Sequence, residues 1–269
     1  MEMEFGARSD IGCVRENNED SFRLAPEMSL FVLSDGMGGL ASGEIASRLS
    51  VETVVNHCGQ AVANPSLPLV GERIDGISEV SNRLASAIRL ANQVVYGAAK
   101  EKGNDGRMGA TLVAARIDGD RVSIAHVGDS RIYRLRGRNF EQLTRDHSFV
   151  ADQIQRGRMT AEEANSSALQ SVLIRAIGIE PEVDVDVNEE LLMEDDTLLL
   201  CSDGLTRELS DEQIAGVLDE SGAQEAADAL VDLAKRAGGG DNITVIVLRL
   251  APKPVGALAR ISKWFRNST

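Results

Sequence analysis

One short pattern occurs twice in this chain and constrains its fold more than any other. The apolar run Leu30-Phe31-Val32-Leu33 leads into Ser34-Asp35-Gly36-Met37-Gly38-Gly39, and Leu198-Leu199-Leu200-Cys201 leads into Ser202-Asp203-Gly204. Each run has the length and side chains of a short buried strand. Each ends on a carboxylate beside glycine, which lets backbone come close to a ligand. Hard cations take carboxylate and backbone carbonyl oxygens together. Either copy alone is equally a strand-to-helix turn closed by Asp-Gly. Two copies, each followed by a helical stretch, argue against chance turns.

A chain of 269 residues is long enough for one large domain with a full core. Hydrophobic residues at 43% and charged residues at 26% are ordinary for a soluble globular protein, and an aromatic share of 3% requires an aliphatic core. A net charge of -14 argues against nucleic acid as a partner, because phosphate backbones demand basic surface. Local phosphate binding through a metal stays open. Cys13, Cys58 and Cys201 form no CxxC pair, which fits a reducing compartment and no zinc site. No apolar run approaches membrane-spanning length, and Met1-Glu2-Met3-Glu4 lacks the features of a signal peptide. The expectation is a cytoplasmic protein with no stable membrane insertion.

Residues 5–24 read as two strands around a polar turn that holds Arg15, Glu16, Asn17, Asn18, Glu19 and Asp20. That turn is either a solvated loop or a phosphate site. In the second reading the Arg15 guanidinium gives a phosphoryl group two parallel hydrogen bonds, and Glu19 and Asp20 hold metal-bound water. Helices are expected over 43–58, with Ser42 as N-cap, and over 79–100, with a loop at 59–76 between them. Val80, Leu84, Ala87, Ile88, Ala91, Val94 and Val95 form the core-facing stripe of the second helix. The glycine-rich loop 103–109 lacks a phosphate-loop signature.

Period-two strands follow at 111–117, 122–127 and 131–135, the first two joined by a tight turn at Asp118-Gly119-Asp120. Gly128-Asp129, taken alone, reads as another hairpin turn. His126 alternates with Val122 and Ile124 as a satisfied core histidine, whereas His147 is more open to a site role. Residues 148–175 break the strand pattern and carry the capping box Thr160-Ala161-Glu162-Glu163. They read as a flap lying over one edge of the sheets. Val183, Val185 and Val187 mark a half-buried strand. The eight acids within 182–196 read as its solvated face rather than a calcium site. Helices at 211–218 and 224–236 precede a last strand at 243–250. The basic tail from Pro252, with Leu258, Ile261, Trp264 and Phe265, reads as packed or disordered rather than membrane-bound.

Asp35, Asp129, Asp203 and Asp241 thus stand at strand ends beside glycine, with Glu19 and Asp20 after the first strand. Strands of one core can bring them together. Oxygen ligands without His or Cys select magnesium or manganese over zinc. Two such ions about 4 Å apart would activate a bridging water and polarise a phosphoryl oxygen. No activated Ser or Cys nucleophile fits this set, so attack by metal-activated water is the economical mechanism.

The motifs and their order resemble the PP2C (PPM) family of metal-dependent protein Ser/Thr phosphatases in its compact bacterial form, over about residues 5–250. They are Arg15 with Asn18-Glu19-Asp20, Asp35-Gly36-Met37-Gly38-Gly39, Gly109-Ala110-Thr111, Val127-Gly128-Asp129-Ser130-Arg131, Ser202-Asp203-Gly204-Leu205 and Gly240-Asp241-Asn242-Ile243-Thr244. The resemblance implies an α+β fold, a four-layer α-β-β-α sandwich of two antiparallel sheets flanked by helices. The phosphatase domain would span 1–251, including the small flap, and the tail 252–269. It implies two Mn2+ or Mg2+ ions bridged by Asp35, with Gly36 lending its carbonyl and with Asp203 and Asp241 completing the first site. Asp129 with Asp203 would hold a third ion, Arg15 would bind the substrate phosphate, and Glu19 and Asp20 would sit in the water shell.

The partners implied are phosphorylated protein substrates and a cognate bacterial Ser/Thr kinase, with the chain acting as a monomer. Two departures stand out. Met37 occupies a position where many eukaryotic relatives carry a histidine proposed as general acid, and the flap run Asn165–Ser171 differs from the bacterial pattern. The alternative is a catalytically silent phosphoprotein-binding scaffold of the same fold. Retention of Asp35, Asp203 and Asp241 favours the enzyme.

Overall fold

The computed structural model describes residues 2–38, 42–101, 103, 108–165 and 167–251. The basic tail and part of the 103–109 loop therefore lie outside the described residues, as does Gly39. The first half of the chain gives β1 (Glu2–Asp10), β2 (Asp20–Ala25), β3 (Leu30–Met37), α1 (Ser42–Ala63), α2 (Glu79–Glu101), β4 (Gly109–Ala110), β5 (Leu112–Asp118) and β6 (Arg121–Val127). The second gives β7 (Arg131–Arg136), β8 (Asn139–Gln142), α3 (Phe149–Gln155), α4 (Ala161–Asn165), β9 (Asp186–Leu191), β10 (Thr197–Cys201), α5 (Asp203–Thr206), α6 (Asp211–Glu220), α7 (Ala223–Ala237) and β11 (Ile243–Ala251).

Two antiparallel sheets result. One has the order β1-β11-β10-β7-β8. The other runs β2-β3-β5-β6-β9, with β4 paired to β3. Strand alternation builds three cores from them. Leu30 and Val32 face out of the second sheet into the core they share with Val51, Val54 and Cys58 of α1, the helix packed on β3. Their neighbours Phe31 and Leu33 face inward and meet Leu198, Leu200, Ile246 and Leu248 of the other sheet. Leu199 and Val247 face out again, onto Ile214 of α6 and Leu230 and Val231 of α7. Two sheets with helices on both outer faces make the four-layer α-β-β-α sandwich expected from the sequence. It also explains the unbroken apolar runs, since a strand covered on both faces has no polar side. Each such leucine contributes roughly 1.5–3 kcal/mol by burial.

The structure corrects several local expectations. The strands flanking the polar turn do not pair: β1 pairs with β11 and β2 with β3, in different sheets. Helix α1 continues to Ala63, beyond the expected end at 58, and Ser42 lies within it rather than before it. On α2, Val94 is 37% exposed, so the apolar stripe is narrower than the spacing suggests. The turn at Gly119 is a hairpin, with φ +64° at the glycine, but Gly128-Asp129 is not. It carries the chain from β6 in one sheet to β7 in the other. Strand β9 begins at Asp186, with Val183 and Val185 packed against the core just before it. Helix α3, capped by the Ser148 side chain, and strand β8 were not anticipated.

Candidate active site

Crossing between sheets at one end of the sandwich is what assembles the site. The ends of β3, β6 and β10 and the starts of β2, β7 and β11 lie there together. Asp20 and Asp35 face each other in the β2–β3 register. Asp129 sits in the crossover from β6 to β7, Asp203 opens α5 directly after β10, and Asp241 precedes β11. A cleft of about 690 Å3 is lined by Asp35, Asp129, Asp203 and Asp241, with Arg15 and Glu19 at its side. Ser171 and Leu173 of the flap line it as well, which places the flap beside the site.

Backbone approach fixes two glycines here. The Gly36 N–H donates to the Glu19 carbonyl oxygen (3.1 Å), and a Cβ at position 36 would strike the carbonyl of Gly43. Gly128 has φ +105°, and a Cβ there would lie 2.6 Å from Thr111 Cβ. Thr111 ties the loops together. Its Oγ1 accepts from the Asp35 N–H (3.1 Å) and contacts Ser130 Oγ (2.6 Å), while its own N–H donates to the Asp35 carbonyl (2.8 Å). Asn242 does the same for the polar turn. Its Nδ2 donates to the carbonyls of Ile11 (3.0 Å) and Asn17 (2.9 Å), and its Oδ1 accepts from the Glu19 N–H (2.8 Å).

The carboxylates carry more charge than the protein neutralises. Asp20 is buried beneath the cleft rather than lining it. Its Oδ2 accepts from Ser202 Oγ (2.9 Å) and Thr244 Oγ1 (2.6 Å), and its Oδ1 has no partner. Burial first, and then Asp203 and Asp241, push its pKa up to about 7 against those hydrogen bonds. Asp129 is pushed up to about 7 by burial and by Asp203 and Asp146, against Arg207 and Arg131. Asp35 is raised well above the carboxylate range, by burial and then by Asp20, Asp203 and Asp129. Asp203 is raised by burial and Asp241, against Arg207. Burial also raises Glu19.

Asp203 Oδ1 is likewise buried without a partner. Orphaned carboxylate oxygens and mutual repulsion cost free energy in a low dielectric. A divalent cation relieves both, and an all-oxygen donor set suits Mg2+ or Mn2+. The residues present therefore fit such ions.

Two arginines reach this centre. Arg15 grips Asp241 with both ends of its fork, Nε to Oδ1 and Nη2 to Oδ2, each at 2.8 Å. Arg207, which sequence reasoning passed over, pairs with Asp203 and, at 3.2 Å, with Asp241. Its place next to the second Ser-Asp-Gly was the available signal.

His147 does not enter the cleft, but it holds the Asp129 crossover from behind. Its ring Nδ1 accepts from the Gly128 N–H (3.1 Å), and its backbone N–H donates to the Gly128 carbonyl (2.9 Å). His126 stacks on it at 4.8 Å between ring centroids, with Nε2 2.8 Å from the Arg145 carbonyl, as a core histidine. These rings and Asp186 form a second group with metal-ligand chemistry. There, however, His147 Nε2 faces Asp186 at 3.2 Å and Arg175 is already paired with that carboxylate. The charge of that group is met from within the protein.

An α-β-β-α sandwich whose strand ends gather buried carboxylates beneath arginine has the architecture of a metal-dependent phosphatase. The chain belongs to the protein phosphatase 2C family, whose model matches residues 14–236. It is 37% identical over 246 residues to the serine/threonine protein phosphatase PstP of Mycobacterium tuberculosis, covering 91% of this chain but 44% of that protein. The chain thus spans less than half the length of that relative. It is 36% identical to the serine/threonine phosphatase stp of Listeria welshimeri, covering 92% of this chain and 95% of that one. The structure of a PstP catalytic domain in complex with two manganese ions superposes with a TM-score of 0.79 at 35% identity, covering 93% and 99% of the two chains. Among the described residues, no helix is long and apolar enough to cross a membrane.

Proposed function

We propose that the chain hydrolyses phosphoserine and phosphothreonine on proteins with the help of divalent metal ions. The observation that carries this reading is the cluster of buried Asp20 and Asp129 with half-buried Asp35 and Asp203, two of its oxygens orphaned, while arginine stands at the cleft side. Asp35 would bridge two Mn2+ or Mg2+ ions, with the Gly36 carbonyl, Asp203 and Asp241 beside it. Asp129 with Asp203 would hold a third, and Glu19 and Asp20 would act through water. Bound ions supply the charge that acidifies a water and stabilises the phosphoryl oxygens.

The chain's own groups do the rest. Arg15, with 54% of its side chain exposed, turns its fork from Asp241 to the phosphate. Thr111 and Asn242 keep the carboxylate loops in register. Met37 lines the cleft without offering a proton. The flap residues Ser171 and Leu173 face the incoming polypeptide. The partners of this reading are phosphorylated proteins and the cognate Ser/Thr kinase, and the chain works as a monomer in the cytoplasm.

The test is phosphate release from a phosphothreonine peptide with Mn2+, with Mg2+ and with EDTA. Release that needs metal and stops on chelation is expected. A folded protein that releases nothing with either ion would overturn the reading in favour of a silent phosphoprotein-binding scaffold.

A further inference from the structure

Arg207 sits where two of the proposed metal carboxylates meet. It closes the short helix α5, one turn after Asp203. One end of its guanidinium pairs with Asp203, and Nη1 lies 3.2 Å from Asp241 Oδ2. That same Oδ2 accepts from Arg15 Nη2 at 2.8 Å. Two guanidinium groups therefore flank one carboxylate from opposite directions in the chain, one from the polar turn and one from α5. A guanidinium cannot shed its proton. In a cleft with this much uncompensated negative charge, Asp203 and Asp241 are where it settles.

The same contacts make its position conditional. A divalent ion and a guanidinium compete for the same carboxylate lone pairs, and the ion carries twice the charge on a smaller radius. Asp203 keeps one oxygen free of partners while the other is taken by Arg207. Full engagement of Asp203 and Asp241 with metal therefore ejects the guanidinium. The side chain is 33% exposed and borders both the cleft and an adjoining groove of about 580 Å3 between α3 of the flap and the start of α6. Freed from the carboxylates, its five donors face the space a phosphorylated side chain must enter.

We propose that Arg207 is a second phosphate-binding residue of this cleft: a counter-cation in the metal-free protein that the metals release and the substrate's phosphoryl group takes over. This rests on the phosphatase reading above. Arg15 and Arg207 would then grip the phosphate from two sides, with Arg207 on the side of the flap groove. The competing account is a fixed structural counter-charge that never meets substrate.

Calorimetry on the wild type, R207K and R207Q decides between them. Mn2+ is titrated into metal-free protein, and inorganic phosphate is then titrated into Mn2+-loaded protein. R207Q is expected to bind Mn2+ more tightly than the wild type, because no internal cation competes. It is also expected to bind phosphate on the order of tenfold more weakly, the loss of one charge-assisted contact. R207K keeps the charge without the planar fork and falls between. With the phosphothreonine peptide, KM rises in R207Q more than kcat falls. Phosphate affinity equal to wild type in Mn2+-loaded R207Q, or Mn2+ affinity that drops, overturns the proposal. Cooperative melting confirms the fold of each variant, and R207K carries the same comparison should R207Q not fold. If the wild type releases no phosphate from the peptide, the phosphatase reading fails, while both titrations still judge Arg207.

Discussion

Two stretches of this molecule are crowded with carboxylates, and they resolve the crowding in opposite ways. In the segment 182–196 four of the eight acids find partners within the protein, and the other four are exposed. Asp186 meets His147 and Arg175, Glu190 meets Arg134, and Asp196 takes both ends of the Arg136 fork at 2.7 Å. Glu189 accepts from the Ser78 N–H at 2.7 Å and from Ser81 Oγ at 2.5 Å. In the cleft, Asp35, Asp20, Asp129 and Asp203 raise one another instead, and Asp20 Oδ1 and Asp203 Oδ1 are left bare. Acidic composition is common to both. Among the described residues, buried carboxylate oxygens left without a partner occur in the cleft, and that is what marks a site for an external cation.

The largest expected difference between the two regions is in turnover. Asp35→Ala or Asp203→Ala should lower kcat on the order of a thousandfold or more with a cooperative melt retained. Asp186→Ala should cost stability of roughly 1 kcal/mol, because that pair is 42% exposed on the Asp side, and leave kcat near wild type. Steady-state kinetics beside thermal melts separate these outcomes, and a collapse of folding in Asp35→Ala would make the cleft structural.

Metal addition comes next. Mn2+ at about a hundredfold its dissociation constant should raise stability by about 3 kcal/mol. Asp203→Ala should lose most of that gain and Asp186→Ala none, as read from melting curves with and without EDTA.

The pH response should then differ in sign. Asp20 and Asp129 have folded pKa values near 7, raised chiefly by burial. Their contribution is fully present below the unfolded carboxylate value and is lost as pH rises through about 7. Metal-free protein should therefore melt lower at pH 8 than at pH 5.5. Asp186 is held far below the usual range, first by its hydrogen bond to His147 and then by Arg175. Its contribution is present above the unfolded value and is lost as pH falls beneath it. Asp129→Asn should flatten the neutral slope and Asp186→Asn the acid one, in metal-free melts from pH 3 to 8.

The smallest effect is expected at the rim. Arg15→Ala should raise KM for a phosphopeptide about tenfold, the worth of one charge-assisted contact, and disturb Mn2+ affinity less than that. Equal changes in both would remove the clamp assignment.

What the sequence revealed was whatever local pattern encodes. The apolar runs before Ser34-Asp35-Gly36 and Ser202-Asp203-Gly204 announced buried strands ending on carboxylates. The capping box at Thr160 is present, with the Thr160 N–H donating to Glu163 Oε2 at 2.8 Å and the Glu163 N–H donating to Thr160 Oγ1 at 3.2 Å. What it hid depends on distant pairing. Nothing near Asp10 says that β1 will pair with Ile243–Ala251 at the far end of the domain. For the same reason Gly128-Asp129 looked like a hairpin although it joins two sheets. Glu182, Asp184, Glu194 and Asp195 are exposed, as a solvated face requires, but Asp186, Glu190 and Asp196 are met by Arg175, Arg134 and Arg136, which come from other parts of the chain. Arg207 showed in the sequence only its place after the second Ser-Asp-Gly; its tie to Asp241 needed the fold that sets Asp241 beside Asp203.

The most direct test of this contrast is an anomalous difference map at the manganese edge, from crystals of the protein grown with Mn2+. The expected result is density among Asp35, Asp203 and Asp241, and none along 182–196 or between His126, His147 and Asp186. An empty cleft with manganese at the histidine pair would contradict the claim that unpartnered buried carboxylates, rather than acidic or ligand-like composition, define where the metal goes.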